Sequence, residues 1–322
     1  MSAKLFKIIF LLSANVVLFI PPTNAVQLDA VVNANVAFSK ETEIYKYQYS
    51  VSSDINNTYN IQIIDIDIEK PTGSKNLPNQ GLMIIERNGT QTEYENYWTL
   101  KSKGFPGLMQ SIIPVGFHPP DNWVAVPTMS LSVSWAATTP FGESRHLIRP
   151  GETKDGFELT SYGLPGIRIV RLYVSVPFAK LLEEAFNKAY QTTPPEEMTE
   201  EQVVAINKVV RDETSIRITT IGPTSPQKNF VALDFINYLI SLRRQAETHL
   251  WITQPSIIPA LDAKLDLVKA SLTANNNAAA ITDLNDLINE VENKKKVALT
   301  SEAYILLKFN VLYLREKLLR SK

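Results

Sequence analysis

The chain has 322 residues, 33 acidic side chains against 32 Lys and Arg for a formal charge of −1, and no cysteine. That length can bury conventional cores, while the absence of cysteine excludes disulfides, thiol nucleophiles and cysteine-based zinc sites. A charge this close to neutral leaves no electrostatic footprint for nucleic acid, so no nucleic-acid partner is expected.

The chain opens with Lys4 and Lys7, an apolar run from Ile8 to Ile20, and Pro21-Pro22-Thr23-Asn24-Ala25. This pattern predicts a secretory signal peptide over residues 1–25 and a secreted or periplasmic product. Ser13 and Asn15 interrupt a run already short for a bilayer span. No later stretch is long and apolar enough either, so no membrane span is expected after signal removal. Cleavage takes away two lysines and no acid, moving the formal charge from −1 to −3.

From Val26 to Val176 the apolar period is two, which predicts antiparallel strands. Tyr45, Tyr47, Tyr49 and Val51 share one face, as do Val170, Leu172, Val174 and Val176. In "MSLSVSW", Met129, Leu131, Val133 and Trp135 should face a core and Ser130, Ser132 and Ser134 water. Pro71-Thr72-Gly73, Asn88-Gly89, Pro119-Pro120 and Pro150-Gly151 punctuate the gaps, Asn88-Gly89 being a strong hairpin signal. This spacing predicts an antiparallel β-sandwich.

After Pro177 the period becomes helical. "FAKLLEEAFNKAYQ" is followed by two prolines, and Thr199 with Gln202 forms a capping box that opens a helix to about Asp212. "SIRITTIGP" at 215–223 reads as a strand whose backbone groups need partners, so it should rejoin the sheet. Helices are predicted at 229–247, 257–274, 278–295 and 301–320, with Ser256 and Thr300 as N-caps and Asn275-Asn276-Asn277 as a turn. The organisation is thus multidomain, all-β plus all-α: a signal at 1–25, a β-sandwich domain at 26–227 with a helical insertion at 177–213, and a four-helix bundle at 228–322.

Two resemblances attach to these segments. The stretch Leu261 to Leu314, with "LDAKLDLVKASL", "AAAITDLNDLINEV" and "LTSEAYILLKFN", resembles the FIMAH-type helical module of secreted bacterial proteins. That likeness implies attachment to another component and brings no established catalytic role. The first domain is similar in phrasing to exported bacterial proteins in which a "PG…GF…S…LPG" segment joins two strands, here Pro150-Gly151, Gly156-Phe157, Ser161 and Leu164-Pro165-Gly166.

Few residues offer chemistry. Ser161 lacks the Gly-x-Ser-x-Gly context of a nucleophile elbow, since Leu159 takes the first glycine position and a strand follows, so it reads as a sheet corner. His118, His146 and His249 have no ligand spacing; a His118–His146 pairing would need the fold to bring them together. Asp65, Asp67 and Glu69 recur at steps of two on one strand face, opposite Ile64, Ile66 and Ile68, and form a candidate metal or acid/base set. Tyr94, Tyr97 and Trp98 with Trp123 form a candidate sugar-stacking platform, whereas Trp135 and Trp251 belong to a core. Asn56-x-Thr58 and Asn88-x-Thr90 fit the glycosylation pattern. Arg243-Arg244 and Lys294-Lys295-Lys296 lie near predicted helix C-termini, where they complement the dipole.

These features lead to an exported, non-catalytic binding or scaffolding protein of the periplasm or cell surface, with an envelope glycan or an extracellular protein as partner and no cofactor. One alternative is an extracellular hydrolase using Asp65, Asp67, Glu69 or His118. The other is a structural envelope tether.

Overall fold

The computed structural model describes residues 28–67, 114–127, 132–138, 146–175, 185–187, 199–224 and 230–321. The expected signal at 1–25, Glu69, the expected Asn88-Gly89 turn, Tyr94, Tyr97 and Trp98, and most of the first expected helix lie outside them. The strands are β1 (Ala30–Ser39), β2 (Ile44–Ser53), β3 (Ile61–Asp67), β4 (Pro114–His118), β5 (Trp123–Pro127), β6 (Ser132–Ala137), β7 (Thr153–Ser161), β8 (Leu164–Val174) and β9 (Ser215–Thr224). The helices are α1 (Glu200–Glu213), α2 (Ala232–Thr248), α3 (Ile258–Thr273), α4 (Asn277–Lys294) and α5 (Ser301–Arg320).

The strands form two antiparallel sheets, a four-stranded one in the order β1-β2-β7-β4 and a five-stranded one in the order β5-β6-β3-β8-β9. Alternation decides their apolar faces: Tyr45, Tyr47, Tyr49 and Val51 are buried on β2, Ile64 and Ile66 on β3, and Val170, Leu172 and Val174 on β8. These faces meet through aromatic rings. Trp135 of β6 lies 6.1 Å from Tyr49 and 5.8 Å from Phe157, and Trp123 packs edge-on against Phe157 at 4.9 Å.

On β6 the alternation misleads, because Ser132 and Ser134 are buried along with Val133 and Trp135. Both hydroxyls hydrogen-bond Asp65 of the neighbouring β3, and a small hydroxyl with a partner can leave water at little cost. The strand at 215–223 returns as expected: β9 lies beside β8 at the edge of the five-stranded sheet.

The chain crosses from one sheet to the other between β7 and β8. Ser161, fully buried at the end of β7, accepts the Gly163 N–H at 3.0 Å, and Tyr47 donates its phenol to the Gly163 carbonyl at 2.7 Å. Ser161 is therefore part of a corner, held by the turn it caps.

Leu28–Val174 and Ile216–Lys322 belong to one compact unit, and Ser175–Ser215 to a second. In the second, α1 opens with the expected capping box: Thr199 Oγ1 accepts the Gln202 N–H while Gln202 Oε1 accepts that of Thr199. In the first, α2 packs on α3, α3 on α4, α4 on α5, and α5 back on α2. The apolar stripes predicted for α3 and α5 are buried, including Leu261, Leu265, Val268, Tyr304, Leu307 and Val311. None of the described helices is long and apolar enough to cross a membrane.

α5 is buried on more than one face because it also packs on β1 and β8, as expected of a helix apolar nearly all round. Phe309 meets Tyr45 edge-on at 5.7 Å. Asn310 donates to the Pro165 carbonyl at 2.8 Å, and Glu302 accepts the Ala34 N–H of edge strand β1 at 3.2 Å. Each buried polar side chain thus satisfies a backbone group that sheet pairing leaves over.

Local signals around the helices held in part. Thr300 caps α5, and Asn275 closes α3 in the left-handed region at φ 53°, where asparagine is tolerated. Ser256 does not cap α3: it sits in a 3₁₀ turn, Pro255–Ile257, whose proline starts the helical path without a side-chain cap. Trp251 is only half-buried, stacked on His249 at 5.1 Å, rather than in the core. Arg243 is buried and ion-paired with Glu247 and, at 2.7 Å, with Asp262 of α3, so it joins two helices instead of serving the α2 C-terminus.

Candidate polar cleft on the four-stranded sheet

Because Tyr47 and Tyr49 point inward on β2, Lys46, Gln48 and Ser50 point the other way. The same alternation turns Asn33 and Asn35 out from β1, and Glu158 and Thr160 from β7. Pairing then brings residues distant in sequence into one row. Asn35 stands opposite Gln48, Gln48 opposite Glu158, and Glu158 opposite His118 of β4. With strands about 4.8 Å apart, the row runs roughly 14 Å across the sheet.

The row is joined by hydrogen bonds. Asn35 Nδ2 donates to Gln48 Oε1 at 3.4 Å, and Gln48 Nε2 to Glu158 Oε1 at 2.5 Å. Lys46 Nζ reaches Glu158 Oε2 at 2.7 Å. Partial burial disfavours the Glu158 carboxylate, yet the bonds from Lys46 and Gln48 and the nearby Lys46 and His118 outweigh it and hold the carboxyl below the usual range. Glu158 is thus a fixed anion and a poor proton donor at neutral pH.

Beside this row β7 carries a bulge: Asp155 and Gly156 together oppose Ser50, between the pairs Tyr49–Phe157 and Val51–Lys154. Gly156 takes φ 92°, and a Cβ there would come within 3.2 Å of Pro120, so the bulge demands glycine. Its effect is to place the exposed Asp155 at the end of the polar face.

A wall rises from the turn between α4 and α5. Lys294 lies in the last turn of α4, where it complements the dipole as expected, but Lys295 and Lys296 continue past it, Lys296 in the left-handed region at φ 61°. Lys295 Nζ sits 4.2 Å above the Tyr304 ring, a cation–π contact. Tyr304 donates to Glu292 at 2.9 Å and accepts from Lys308 at 2.6 Å, and Lys308 pairs with Glu292 at 2.6 Å. The Lys308 hydrogen bond, with lesser help from Tyr304 and the neighbouring lysines, keeps the Glu292 carboxyl below its usual range despite partial burial. Glu302 ties wall to floor by accepting both the Ala34 N–H and the Ser301 hydroxyl.

Floor and wall enclose a cleft of ≈ 590 Å³ bordered by Asn33, Asn35, Gln48, Asp155, Glu158, Lys295, Lys296 and Ser301. That size suits a small-molecule or oligomer segment. The lining supplies amides, which donate and accept at once, together with carboxylates, ammoniums and a hydroxyl.

Of the residues singled out from sequence, Lys295 and Lys296 border this cleft and His118 stands opposite Glu158, while the acidic and aromatic candidates do not join them. Asp65 is half-buried on β3 of the other sheet and accepts the Ser134 hydroxyl at 2.8 Å. Burial pushes its carboxyl above the usual range, with the Ser132 and Ser134 hydrogen bonds opposing. Asp67 is exposed and pairs in register with Ser132. Among the described residues no group of three or more His, Asp or Glu is placed to hold a metal ion, and Glu69 lies outside them.

Trp123 is buried at 4% exposure, with its indole N–H on the His146 carbonyl at 3.0 Å and its ring on Phe157. It presents no open face for a sugar; its proposed companions Tyr94, Tyr97 and Trp98 lie outside the described residues. His118 is the one sequence-stressed residue that meets the polar row, through Glu158, while Asp65 and Asp67 belong to the other sheet. His249 ends α2 as its C-cap. Neither the models of known protein families nor the curated proteins match this chain.

Proposed function

We propose that this chain is an exported binding or scaffolding protein of the periplasm or cell surface, and that its polar cleft binds an envelope glycan. On this reading the sheets form a β-sandwich, and α2 to α5 a four-helix bundle of FIMAH type that supplies one wall. The observation that carries it is the hydrogen-bonded row Asn35–Gln48–Glu158 on the floor of an open cleft. Vicinal hydroxyls of a saccharide each donate one hydrogen bond and accept up to two, which side-chain amides and a fixed carboxylate match. The sugar contacts come from amides on the four-stranded sheet, with Trp123 confined to the core.

The test is a glycan array on the purified chain beside Gln48→Ala and Asn35→Ala. Capture of a glycan family that weakens about tenfold in each variant supports the reading, the size expected for losing one good polar contact. Capture untouched by both substitutions, or no capture at all, overturns it.

Asp155 and Glu158 border the same cleft, which favours hydrolysis as the second reading. Glycoside chemistry requires one of two carboxyls to be a proton donor, and Glu158 is held as an anion; release of reducing ends from any bound glycan, abolished by Asp155→Asn, would establish this alternative.

A further inference from the structure

We infer that the cleft selects a saccharide chain bearing carboxylates, seated with an acid group at Lys295 and Lys296 and its hydroxyls over Asn35 and Gln48. This rests on the glycan-binding role proposed above and adds the charge class of the ligand.

The argument is one of local charge. On the floor, the Glu158 anion is already matched by Lys46 at 2.7 Å, so that part of the surface is close to neutral. On the wall, each acid near the two lysines has another partner. Glu292 is paired with Lys308 and also feels Lys295, Glu290 faces Lys294 at 3.8 Å, and Glu302 keeps its charge while accepting from the Ala34 N–H and the Ser301 hydroxyl. Lys295 rests on the Tyr304 ring, which orients its ammonium without neutralising it. Lys296 forms no ion pair among the described residues, and its backbone is fixed where its N–H reaches the Leu299 carbonyl at 3.2 Å.

With Lys294, Lys295, Lys296 and Lys308 against Glu290, Glu292 and Glu302, the wall keeps a net positive charge centred on the exposed Lys295 and Lys296 at the rim of a cleft, a place where low-dielectric surroundings strengthen the field. Asp155 fixes the direction of binding. It is an exposed acid on the floor side of the same cleft, so it repels a ligand carboxylate from that end and steers it toward the lysines. Its own oxygens accept hydroxyls there.

The test is titration calorimetry of the purified chain with tetragalacturonate and with the neutral cellotetraose, at low and high salt. Two exposed pairs together give about a tenfold preference for the acidic tetramer, and screening should erase most of it near 1 M salt. The double variant Lys295→Gln/Lys296→Gln should lose the preference, keep its circular dichroism, and still bind whatever neutral saccharide the parent binds. Equal binding of both tetramers, binding of the neutral one alone, or a preference that survives the double substitution overturns the inference while leaving glycan binding in place. Failure to bind either tetramer overturns the inference, and in a chain that also captures nothing on the array it overturns glycan binding with it.

Discussion

Glu158 and Asp65 are both mid-strand carboxylates with polar neighbours across the strands, one in each sheet, and their surroundings drive them in opposite directions. Glu158 stands in an open row and is held ionised by Lys46 and Gln48. Asp65 is half-buried, takes hydrogen bonds from the Ser132 and Ser134 hydroxyls and stands opposite Arg171 of β8, yet burial outweighs these and pushes it toward the neutral acid. Partner charge wins at the first and desolvation at the second. The difference is one of surroundings: a carboxylate beside a lysine stays charged, whereas one held by hydroxyls in a more desolvated place is pressed toward neutrality.

Helix α5 packs on a strand of each sheet, β1 and β8, and removing its buried hydrogen bond to β8 should produce the largest effect. Asn310 of α5 reaches Pro165 at the corner where the chain passes between the sheets. Asn310→Ala leaves a buried carbonyl unsatisfied and should cost about 2 kcal/mol, lowering the thermal midpoint by about 4 °C. Since neither carboxylate touches Asn310, the pH dependence of stability should keep its shape. A change of shape would mean that the two faces are coupled through α5, and would break the comparison.

Asp65→Asn acts on the covered face and should stabilise. The raised carboxyl makes ionisation unfavourable to the folded state, so the native protein loses stability as pH rises from the unfolded value, about 3.9, through the folded one. The amide removes that loss while its oxygen can still accept from Ser134. Thermal melts at pH 8 should improve by about 1 kcal/mol, and parent and variant should converge in acid. Destabilisation at pH 8 would show that the carboxylate is held by a charge, as Glu158 is.

The same contrast explains what was legible in the sequence. Alternation in "YKYQYSV" showed that Lys46, Gln48 and Ser50 leave the core, and caps such as Thr300 and the Asn275 turn set helix ends to within a few residues. It did not show that Gln48 meets Glu158, because the sheet order β1-β2-β7-β4 joins segments over a hundred residues apart, and a bulge shifts the register between them. The polar face of β6 was readable as polar but not as buried, since Asp65 satisfies its serines from another strand. On α5 the stripe from Tyr304 to Leu318 was readable, yet Ile305, Leu306, Phe309 and Asn310 form additional buried surface that only the sheets explain. The Lys294–Lys296 run looked like a dipole complement because sequence spacing cannot reveal that the turn after α4 borders β1 and β2.

Glu158→Gln should give the smallest effect, with the opposite sign to Asp65→Asn. Its folded carboxyl is lowered, so its contribution is present above the unfolded value, about 4.3, and is lost as pH falls through the folded one. The pair with Lys46 lies near the surface, where such contacts are worth about 0.2–1 kcal/mol. At pH 7 the variant should therefore be less stable by no more than that, with the gap closing toward pH 3 and narrowing in high salt. Glutamine has one acceptor oxygen in place of two, so it can keep the bond from Gln48 while the charge and the acceptor facing Lys46 are removed. A variant more stable than the parent at neutral pH would place Glu158 in the same class as Asp65, and the contrast between a carboxylate held by charge and one opposed by desolvation would fail.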